Sequence, residues 1–374
     1  MKSIIHFICN PDPRIGYGVC ALNFKKELEL ILPNNLFQVI VSDPRDKVKF
    51  SKTCDQINLN RNNFNFINIY LAPALDTQLV GIELPGYKVI FTMFETEVLP
   101  LGFKEVLNQY DLVLTPSKWG ARILSSELAH GRVEVVPLGV DPKIFHSWNS
   151  KSTIKEEDLF TFLAVGKYEA RKSYKEIIEA FELSFPKDSN YRLLLKVDNL
   201  FVSNALEQAS ELIKPDRSHQ ITIVRSQPPG SFLKVELMAQ FYRSVNCFLF
   251  PSKGEGWGLP LIEAISCGIP YIATKYSGQT EYLNYCNQLY SDLKFTMESI
   301  DDKFFLKYNK FKEAKTVKWA KPEIKDLARK MILIAENWEI VKEQALLNAE
   351  IIHKNFSWRS SSETLINVIL KKLA

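Results

Sequence analysis

The chain has 374 residues, of which 46% are hydrophobic and 24% are charged, and its formal net charge at pH 7 is +4. This length predicts two domains, since a domain typically holds about 100–200 residues, and the composition is that of an ordinary globular protein. The mildly basic charge is compatible with an anionic small molecule or a membrane-bound partner, but it is too small to indicate a nucleic-acid-binding protein.

The chain lacks the sequence patterns of membrane insertion, secretion and metal binding. No window reaches the roughly 18 consecutive apolar residues of a spanning helix, and the first residues do not form a signal peptide. The cysteines are scattered, without C-x-x-C pairs or metal-ligand spacing: Cys9, Cys20, Cys54, Cys247, Cys267 and Cys286. We therefore expect a cytoplasmic protein with reduced thiols and no bound metal.

In the first half of the chain, short apolar runs alternate with helical patterns. The predicted strands are Ile4–Cys9, Gln38–Ser42, Phe66–Tyr70, Val89–Phe94, Leu112–Thr115 and Val133–Val136. The clearest helical patterns cover Tyr17–Leu32 and Ser117–Leu128. Such alternation predicts a parallel sheet covered by helices on both faces.

The second half repeats this organisation after a polar run at residues 147–157. Its predicted strands are Phe160–Val165, Arg192–Val197, Ile221–Val224, Cys247–Phe250 and Tyr271–Ala273, and its predicted helices are Tyr174–Leu183, Phe201–Ile213, Phe232–Arg243 and Pro322–Asn337. We assign residues 1–150 to a first Rossmann-like domain, 151–345 to a second one, and 346–374 to a terminal helical segment.

One stretch is far more specific than the rest: residues 251–281, PSKGEGWGLPLIEAISCGIPYIATKYSGQTE. Glu255 and Glu263 lie eight positions apart, separated by a glycine turn and a short helix that we expect to begin at Pro260. Backbone N–H groups at a helix N-terminus attract a diphosphate, and carboxylates accept hydrogen bonds from sugar hydroxyls. The residues predict an anion cradle between two hydroxyl-binding carboxylates, or, in a plainer interpretation, two solvated glutamates at a loop–helix junction.

This stretch resembles the donor-binding signature of retaining glycosyltransferases of family 4, the group 1 type. The family's Glu-x7-Glu motif falls on Glu255 and Glu263. The resemblance implies that Glu255 faces the transferred sugar and that Glu263 holds the ribose of the nucleotide. It implies further donor contacts from the intervening residues Trp257, Gly258, Leu259 and Pro260.

The same resemblance implies an α/β protein of the GT-B fold. Two Rossmann-like domains would face each other across a cleft, and the C-terminal helices would cross back to the N-terminal domain. The implied partners are a nucleotide-sugar donor and a glycan or lipid-linked acceptor, with no cofactor and no metal.

Three basic residues open the second domain in a pattern that is similar to the family's. Lys167, Arg171 and Lys172 follow a predicted strand end, the edge where open α/β sheets bind ligands. By resemblance, Lys172 and Arg171 stabilise the departing diphosphate, and Lys167 takes the place of a second basic residue. Gly16 and Gly18 flank a turn after the first strand, and by resemblance they belong to a glycine-rich loop that faces the donor phosphates, although a plain tight turn explains them as well.

Two further segments complete the predicted site. Arg225 follows a strand and is expected to line the nucleotide-base pocket. Glu95 and Glu97 follow a strand end where many members of family 4 have a histidine, and none of the five histidines of this chain falls there. Glu95 or Glu97 would activate the acceptor hydroxyl as a base, bind acceptor hydroxyls, or remain solvated.

The resulting hypothesis is a retaining, metal-independent hexosyltransferase. Its alternatives are a catalytically silent sugar-nucleotide-binding subunit, a nicotinamide dehydrogenase, and a phosphorylase or epimerase of the same architecture. Lys25 and Lys26, on a helix that also bears Phe24, suggest peripheral contact with the inner face of a membrane, although a solvated helix face explains them as well.

Overall fold

The structure is a computed structural model that describes residues 2–73, 84–147, 159–197, 199, 204–224, 234–308, 311 and 317–373. The chain divides into two compact units. The first unit comprises Met1–Gly139, Lys303–Val317 and Phe356–Ala374, and the second comprises Val140–Asp302 and Lys318–Asn355. Compared with the predicted domains, the first unit ends earlier and includes the last helix.

Strands and helices alternate along most of the described chain. The strands are β1 (Lys2–Ile8), β2 (Phe37–Ser42), β3 (Phe64–Leu71), β4 (Tyr87–Phe91), β5 (Leu112–Thr115), β6 (Val133–Val135), β7 (Phe160–Gly166), β8 (Tyr191–Val197), β9 (Ile221–Ile223), β10 (Cys247–Phe250), β11 (Tyr271–Thr274), β12 (Asp292–Leu293), β13 (Phe295–Ser299) and β14 (Lys318–Pro322). The helices are α1 (Gly16–Ile31), α2 (Lys47–Leu59), α3 (Phe103–Leu107), α4 (Lys118–Glu127), α5 (Tyr174–Ser184), α6 (Ala205–Glu211), α7 (Val235–Arg243), α8 (Leu259–Ser266), α9 (Thr280–Leu283), α10 (Lys303–Tyr308), α11 (Ile324–Glu336), α12 (Trp338–Asn355) and α13 (Trp358–Leu373).

The first unit contains a six-stranded parallel sheet in the order β2-β1-β3-β4-β5-β6. Helix α1 packs on it through Phe24, which is fully buried and whose ring centroid lies 6.1 Å from that of Phe7 in β1. The last helix, α13, belongs to the same core, because Trp358 contacts Phe24 edge-on with ring centroids 5.6 Å apart. The terminal helix thus completes the first unit.

The second unit contains a six-stranded parallel sheet in the order β12-β11-β10-β7-β8-β9. Its core lies between this sheet and helices that include α5 and α11, and Phe162, Phe181, Leu193 and Met331 are fully buried there. The chain crosses from β7 to one side of the sheet and later returns to β10 on the other side. This reversal of strand order between β7 and β10 creates the crevice where doubly wound sheets bind ligands.

The structure contains all the strands predicted from the apolar runs, within a few residues of the expected bounds. Helix α2 and the antiparallel pair β13–β14 were not predicted. The helix expected from Pro322 begins at Ile324, because Pro322 still pairs with Phe295 in that hairpin. All six cysteines are free, and no helix in the described ranges is long and apolar enough to cross a membrane.

The burial of Phe24 corrects one prediction about the surface of α1. Because Phe24 lies in the core, it is not part of an exposed amphipathic face beside Lys25 and Lys26. The exposed apolar residues of this helix are instead Leu22 and Leu30.

Candidate active site

The candidate site of the second unit lies where β7 and β10 end, at the reversal of strand order. After β7 the chain forms a short 3-10 helix, Ala170–Lys172, and after β10 it enters the glycine-rich loop of residues 251–258. The backbone N–H of Lys253 in this loop donates a hydrogen bond to the carbonyl of Arg171 at 2.7 Å. The basic segment and the glutamate motif are therefore held side by side.

Glu255 is the centre of this cluster and is only 5% exposed. The ammonium of Lys172 and the hydroxyl of Ser252 both donate to its Oε1, and Arg171 Nη1 lies 2.9 Å from the same oxygen. The backbone N–H of Glu255 donates to Ser277 Oγ at 2.8 Å. Hydrogen bonds thus hold both the side chain and the backbone of Glu255 in this structure.

The charges of this cluster keep Glu255 ionised. Burial alone would raise the pKa of Glu255, but Arg171, Lys172 and the hydrogen bonds from Lys172 and Ser252 outweigh it and lower that pKa to about 2. Burial lowers the pKa of Lys172, which Glu255 opposes. The pair is an ammonium and a carboxylate in a largely desolvated place, where charges interact more strongly than in water.

A second carboxylate, that of Glu169, offsets part of the positive charge of the cluster. Glu169 Oε2 lies 2.8 Å from Arg171 Nε. Burial would raise the pKa of Glu169, but Arg171, Lys172 and Lys167 lower it overall. The side chain of Lys167 is partly exposed at the end of β7. Three cations and two carboxylates thus meet at this edge, a net positive charge that suits an anionic ligand.

The turn between the two motif glutamates requires glycine. Gly258 has φ +90°, and a Cβ there would lie 2.9 Å from the hydroxyl oxygen of Tyr282, which donates to the Gly258 carbonyl at 3.0 Å. Trp257 is 2% exposed and packs edge-on against Tyr282, so its indole is part of the core. Helix α8 starts at Leu259, and Pro260 takes its second position instead of the expected first, where its missing N–H is still harmless.

Two serines beside Glu255 adopt left-handed backbone conformations. Ser173 and Ser277 both have φ +61°, which costs free energy for residues other than glycine. Next to Ser277, a Cβ on Gly278 would lie 2.0 Å from the carbonyl oxygen of Gly256. Strained backbone of this kind persists where the surroundings over-determine it, and it is concentrated here around the cluster.

Glu263 lies on α8 in a different electrostatic environment from that of Glu255. Its side chain is partly exposed, and its Oε2 accepts a hydrogen bond from the hydroxyl of Tyr242 in α7 at 2.9 Å. Burial raises the pKa of Glu263 to about 7, although the Tyr242 hydrogen bond opposes this shift. Glu263 is therefore a carboxyl group that titrates near neutral pH.

The remaining predicted site residues are divided between the first unit and the undescribed part of the chain. Gly16 and Gly18 open α1, where a Cβ on Gly18 would lie 2.1 Å from the carbonyl oxygen of Asp12, so the loop itself requires that glycine. Glu95 follows β4 and is partly buried, while Glu97 is exposed, with its Oε1 3.6 Å from Arg122 Nη2. Arg225 lies outside the described residues.

Four residues of the site went unassigned in the sequence analysis. Ser252 and Ser277 hold Glu255, Glu169 pairs with Arg171, and Tyr242 holds Glu263. The two serines stand inside the quoted motif, so their polar character beside Glu255 was an available signal. Tyr242 gave no such signal, because it occupies an apolar-face position of a helix. Within the described ranges, no group of three or more His, Cys, Asp or Glu side chains is placed to hold a metal ion.

Residues 147–285, which include the whole Glu255 cluster and α8, match the family model described as glycosyl transferases group 1. This match covers less than half of the chain, and it makes this part of the chain similar to the group 1 glycosyltransferases. It is 25% identical over 195 residues to a D-inositol 3-phosphate glycosyltransferase of Nocardiopsis dassonvillei, an alignment that covers 50% of this chain and 45% of the relative. It is also 25% identical over 177 residues to the capsular polysaccharide biosynthesis glycosyltransferase CapM of Staphylococcus aureus, covering 45% of this chain and 44% of CapM. The chain thus spans less than half the length of these relatives.

Solved structures resemble the chain over nearly its whole length and identify its fold. Sucrose-phosphate synthase of Thermosynechococcus elongatus superposes with a TM-score of 0.68 at 15% identity and covers 99% of both chains. Anabaena HepE in complex with UDP and glucose superposes with a TM-score of 0.66 at 12% identity, covering 99% of this chain and 100% of HepE. At such identities the likeness concerns the fold alone, which is the GT-B fold that the sequence predicted.

Proposed function

We propose that the protein is a retaining glycosyltransferase of glycan or polysaccharide biosynthesis. It would move a hexose from a nucleoside-diphosphate sugar to a hydroxyl of a glycan or lipid-linked acceptor. The observation that carries the proposal is the buried ionised Glu255 held by Lys172 and Arg171 at the strand-order reversal of the domain that is similar to the group 1 glycosyltransferases. A carboxylate for the sugar and cations for the diphosphate are thereby combined in one preorganised site.

In the proposed reaction the bond between the anomeric carbon and the β-phosphate oxygen breaks, and its electron pair leaves with the nucleoside diphosphate. Lys172, Arg171 and Lys167 stabilise that negative charge, and Glu255 stabilises positive charge on the anomeric carbon. The acceptor oxygen forms the new bond on the same face of the sugar, so the configuration is retained. Its proton passes to a carboxylate, for which Glu95 is the candidate.

The nucleotide part of the donor would be held by the turn and by α8. The backbone N–H groups around Gly258 donate hydrogen bonds to the diphosphate, and Glu263 accepts hydrogen bonds from the ribose hydroxyls. Arg225, which the sequence suggests for the base, lies outside the described residues, and its role stays a prediction. UDP is the first nucleotide to test, because structural relatives such as HepE were solved in complex with UDP. The donor takes the place of a cofactor, and no metal is part of the proposal.

A thermal-shift screen tests the nucleotide site directly. We expect stabilisation by one of UDP, GDP and ADP or their sugar conjugates and none by NAD, which would indicate a dehydrogenase. The stabilisation should be lost in Glu263→Ala and kept in Glu255→Ala, while transfer should be lost in Glu255→Ala. A flat response of the wild type to every nucleotide would refute the proposal.

Two finer parts of the proposal need their own measurements. NMR of the product's anomeric proton coupling distinguishes retention from inversion, and inversion would contradict the assigned role of Glu255. Transfer that is unchanged by EDTA is expected if the cations of the site carry the leaving-group charge. Hydrolysis of donor at the same rate with and without acceptor would point to a hydrolase instead.

The second candidate is a catalytically silent sugar-nucleotide-binding subunit of a glycosyltransferase complex. It is favoured by Glu95 and Glu97 at the strand end where many members of family 4 have a histidine. Such a subunit would bind the nucleotide yet give no product with any acceptor, and Glu95→Gln would change nothing measurable. A transferase that uses Glu95 as its base would lose turnover in that variant and keep its affinity for the donor.

The proposed location is the cytoplasm. A more specific proposal is that the protein contacts the inner face of the membrane peripherally. On α1, the exposed Leu22 and Leu30 together with Lys26 are the residues for such a contact. Flotation with liposomes that contain anionic lipid tests it. Binding by the wild type that is lost in a Leu22→Ser, Leu30→Ser variant would support the contact, and absence of wild-type binding would remove it.

A further inference from the structure

We propose that Tyr242 is a positioning residue, which fixes the carboxylate of Glu263 in the orientation that binds the ribose of the donor. This inference rests on the proposed function, because it assumes that Glu263 holds the ribose. Nothing in the motif itself points to Tyr242, which is 21 positions before Glu263 and on another helix. The geometry around the two side chains carries the argument.

The Tyr242–Glu263 hydrogen bond is enclosed at one end and accessible at the other. Tyr242 is 1% exposed, and its hydroxyl donates to Glu263 Oε2 at 2.9 Å, whereas Glu263 itself is partly exposed. No second hydrogen bond to the Glu263 side chain is seen among the described residues. One carboxylate oxygen is thus engaged inside the unit, and Oε1 is left for a ligand's hydroxyl groups.

The ring of Tyr242 is held from two sides, so its hydroxyl points in one direction. Phe248 in β10 packs edge-on against it, with ring centroids 5.5 Å apart and planes at 85°. Phe145 lies against it with ring centroids 6.2 Å apart. Phe145 is fixed in turn, because its carbonyl accepts hydrogen bonds from Ser266 Oγ at 2.7 Å and His353 Nε2 at 2.9 Å.

A fixed phenol prepares a glutamate to bind hydroxyl groups in two ways: it restricts the side chain, and it favours the ionised form. A glutamate side chain has three rotatable bonds, and anchoring one oxygen removes most of that freedom before the ligand arrives. The donated hydrogen bond also favours the ionised carboxylate, which is the stronger acceptor for a ribose hydroxyl.

Neutral groups surround this pair, so the hydrogen bond from Tyr242 is the main polar interaction that acts on the Glu263 carboxylate. The other titratable groups that influence the pair are Cys267 at the end of α8, Tyr174 in α5 and Tyr282 in α9. Burial raises the pKa of Cys267 and that of Tyr282 above their usual values, so both groups stay neutral near pH 7. Burial and the charge of Glu263 raise the pKa of Tyr242 too, so it keeps the proton that it donates.

The test compares ribose recognition in Tyr242→Phe with that in a matched control. Tyr191→Phe also removes one phenol hydroxyl from the second unit, but at the start of β8, the opposite end of the strands from the site. Calorimetric affinities are measured for UDP and 2′,3′-dideoxy-UDP, or for the guanosine pair if the thermal screen selects GDP. The ratio of the two affinities isolates the ribose hydroxyl groups from the diphosphate and the base.

We expect the wild type and Tyr191→Phe to prefer the ribonucleotide by the same factor. In Tyr242→Phe that factor should fall about tenfold, which is the loss of one hydrogen bond to a charged group, with unchanged affinity for the dideoxy compound. In a Glu263→Gln background, the further change Tyr242→Phe should leave the ratio as it is, because the group being positioned has gone.

Each other outcome separates the inference from the proposed function. A wild type without preference for the ribonucleotide refutes ribose binding by Glu263, and the role of Tyr242 with it. A normal preference in Tyr242→Phe overturns the positioning role and leaves the proposed function standing. An equal loss for both nucleotides means a merely structural role and also overturns it. If Tyr242→Phe does not fold, Tyr242→Met, which keeps an apolar side chain in the same space, is measured in its place.

Discussion

Glu255 and Glu263 come from one short motif, yet their surroundings give the two carboxyl groups opposite properties. Glu255 follows β10, contacts Lys172 and Arg171, and has a pKa lowered to about 2. Glu263 lies on α8 beside the neutral phenol of Tyr242, and its pKa is raised to about 7. Burial by itself raises the pKa of both carboxyl groups; the cations beside Glu255 reverse that shift, whereas the phenol beside Glu263 only weakens it.

Glu255→Gln should produce the largest effect. We expect transfer to fall by at least ~10²–10³-fold, the usual loss when a group that stabilises transition-state charge is removed. Affinity for the free nucleoside diphosphate should stay equal or rise, because Lys172 and Arg171 no longer share their charge with Glu255. Steady-state kinetics and calorimetry measure the two quantities.

The matched control for this variant is Glu176→Gln. Glu176 is similarly enclosed and forms an ion pair at 2.7 Å with Lys253, but it lies outside the cluster on α5. Its loss should leave transfer within a few-fold of the wild type. Equal losses of transfer in the two variants would mean that Glu255 acts only by holding the loop together.

The pH dependence of stability should have opposite signs for the two glutamates. The lowered pKa of Glu255 means that its unfolded form binds a proton before its folded form does as the pH falls. Its contribution is therefore complete above about pH 4.5 and is lost between there and pH 2. The Glu255→Gln variant should lack this loss when both proteins are unfolded with urea across the acid range.

For Glu263 the folded state keeps a proton that the unfolded state releases above about pH 4.5. Its contribution is present below that pH and is lost as the pH rises through about 7. Relative to Glu263→Gln, the wild type should thus lose roughly 2 kcal/mol of unfolding free energy between about pH 5 and pH 8. A difference that stays constant over this range would contradict the raised pKa.

Sequence reasoning predicted the framework of this site because the framework follows from local patterns. Apolar runs of strand length predicted β7 and β10, and glycines with Pro260 predicted the turn and the start of α8 to within one residue. Parallel strands then bring their carboxyl ends to one edge, so the basic segment and the motif were expected at the same edge.

Contacts between distant parts of the chain could not be predicted in the same way. The Lys172–Glu255 pair joins residues 83 positions apart, and its existence depends on how the two loops pack. Apolar spacing made Tyr242 look like an ordinary core residue, which it is, apart from its hydroxyl. Phe24 shows the converse error, since its place on an amphipathic pattern did not reveal which face of α1 is buried. A pattern of spacing groups residues on one face of an element, but it shows neither whether that face is buried nor which partner covers it.

The smallest expected effects come from the two strained serines beside Glu255, and they separate backbone strain from hydrogen bonding. Both have φ +61°, so glycine at either position relieves the left-handed strain. Ser277 Oγ accepts the N–H of Glu255, whereas the buried Ser173 Oγ has no hydrogen-bond partner among the described residues. We expect Ser173→Gly to stabilise the protein by about 0.5–1 kcal/mol, since it removes both the strain and an unsatisfied hydroxyl.

Ser277→Gly should instead be neutral or destabilising by up to about 1 kcal/mol, because the relief of strain is offset by a buried N–H that loses its acceptor. Urea unfolding of the two variants gives the difference, and donor turnover shows whether Glu255 has moved. Loss of turnover in Ser277→Gly with full turnover in Ser173→Gly would assign the backbone placement of Glu255 to the Ser277 hydroxyl. The same change in both variants would mean that strain alone, and not the hydrogen bond, distinguishes these positions from ordinary loop residues.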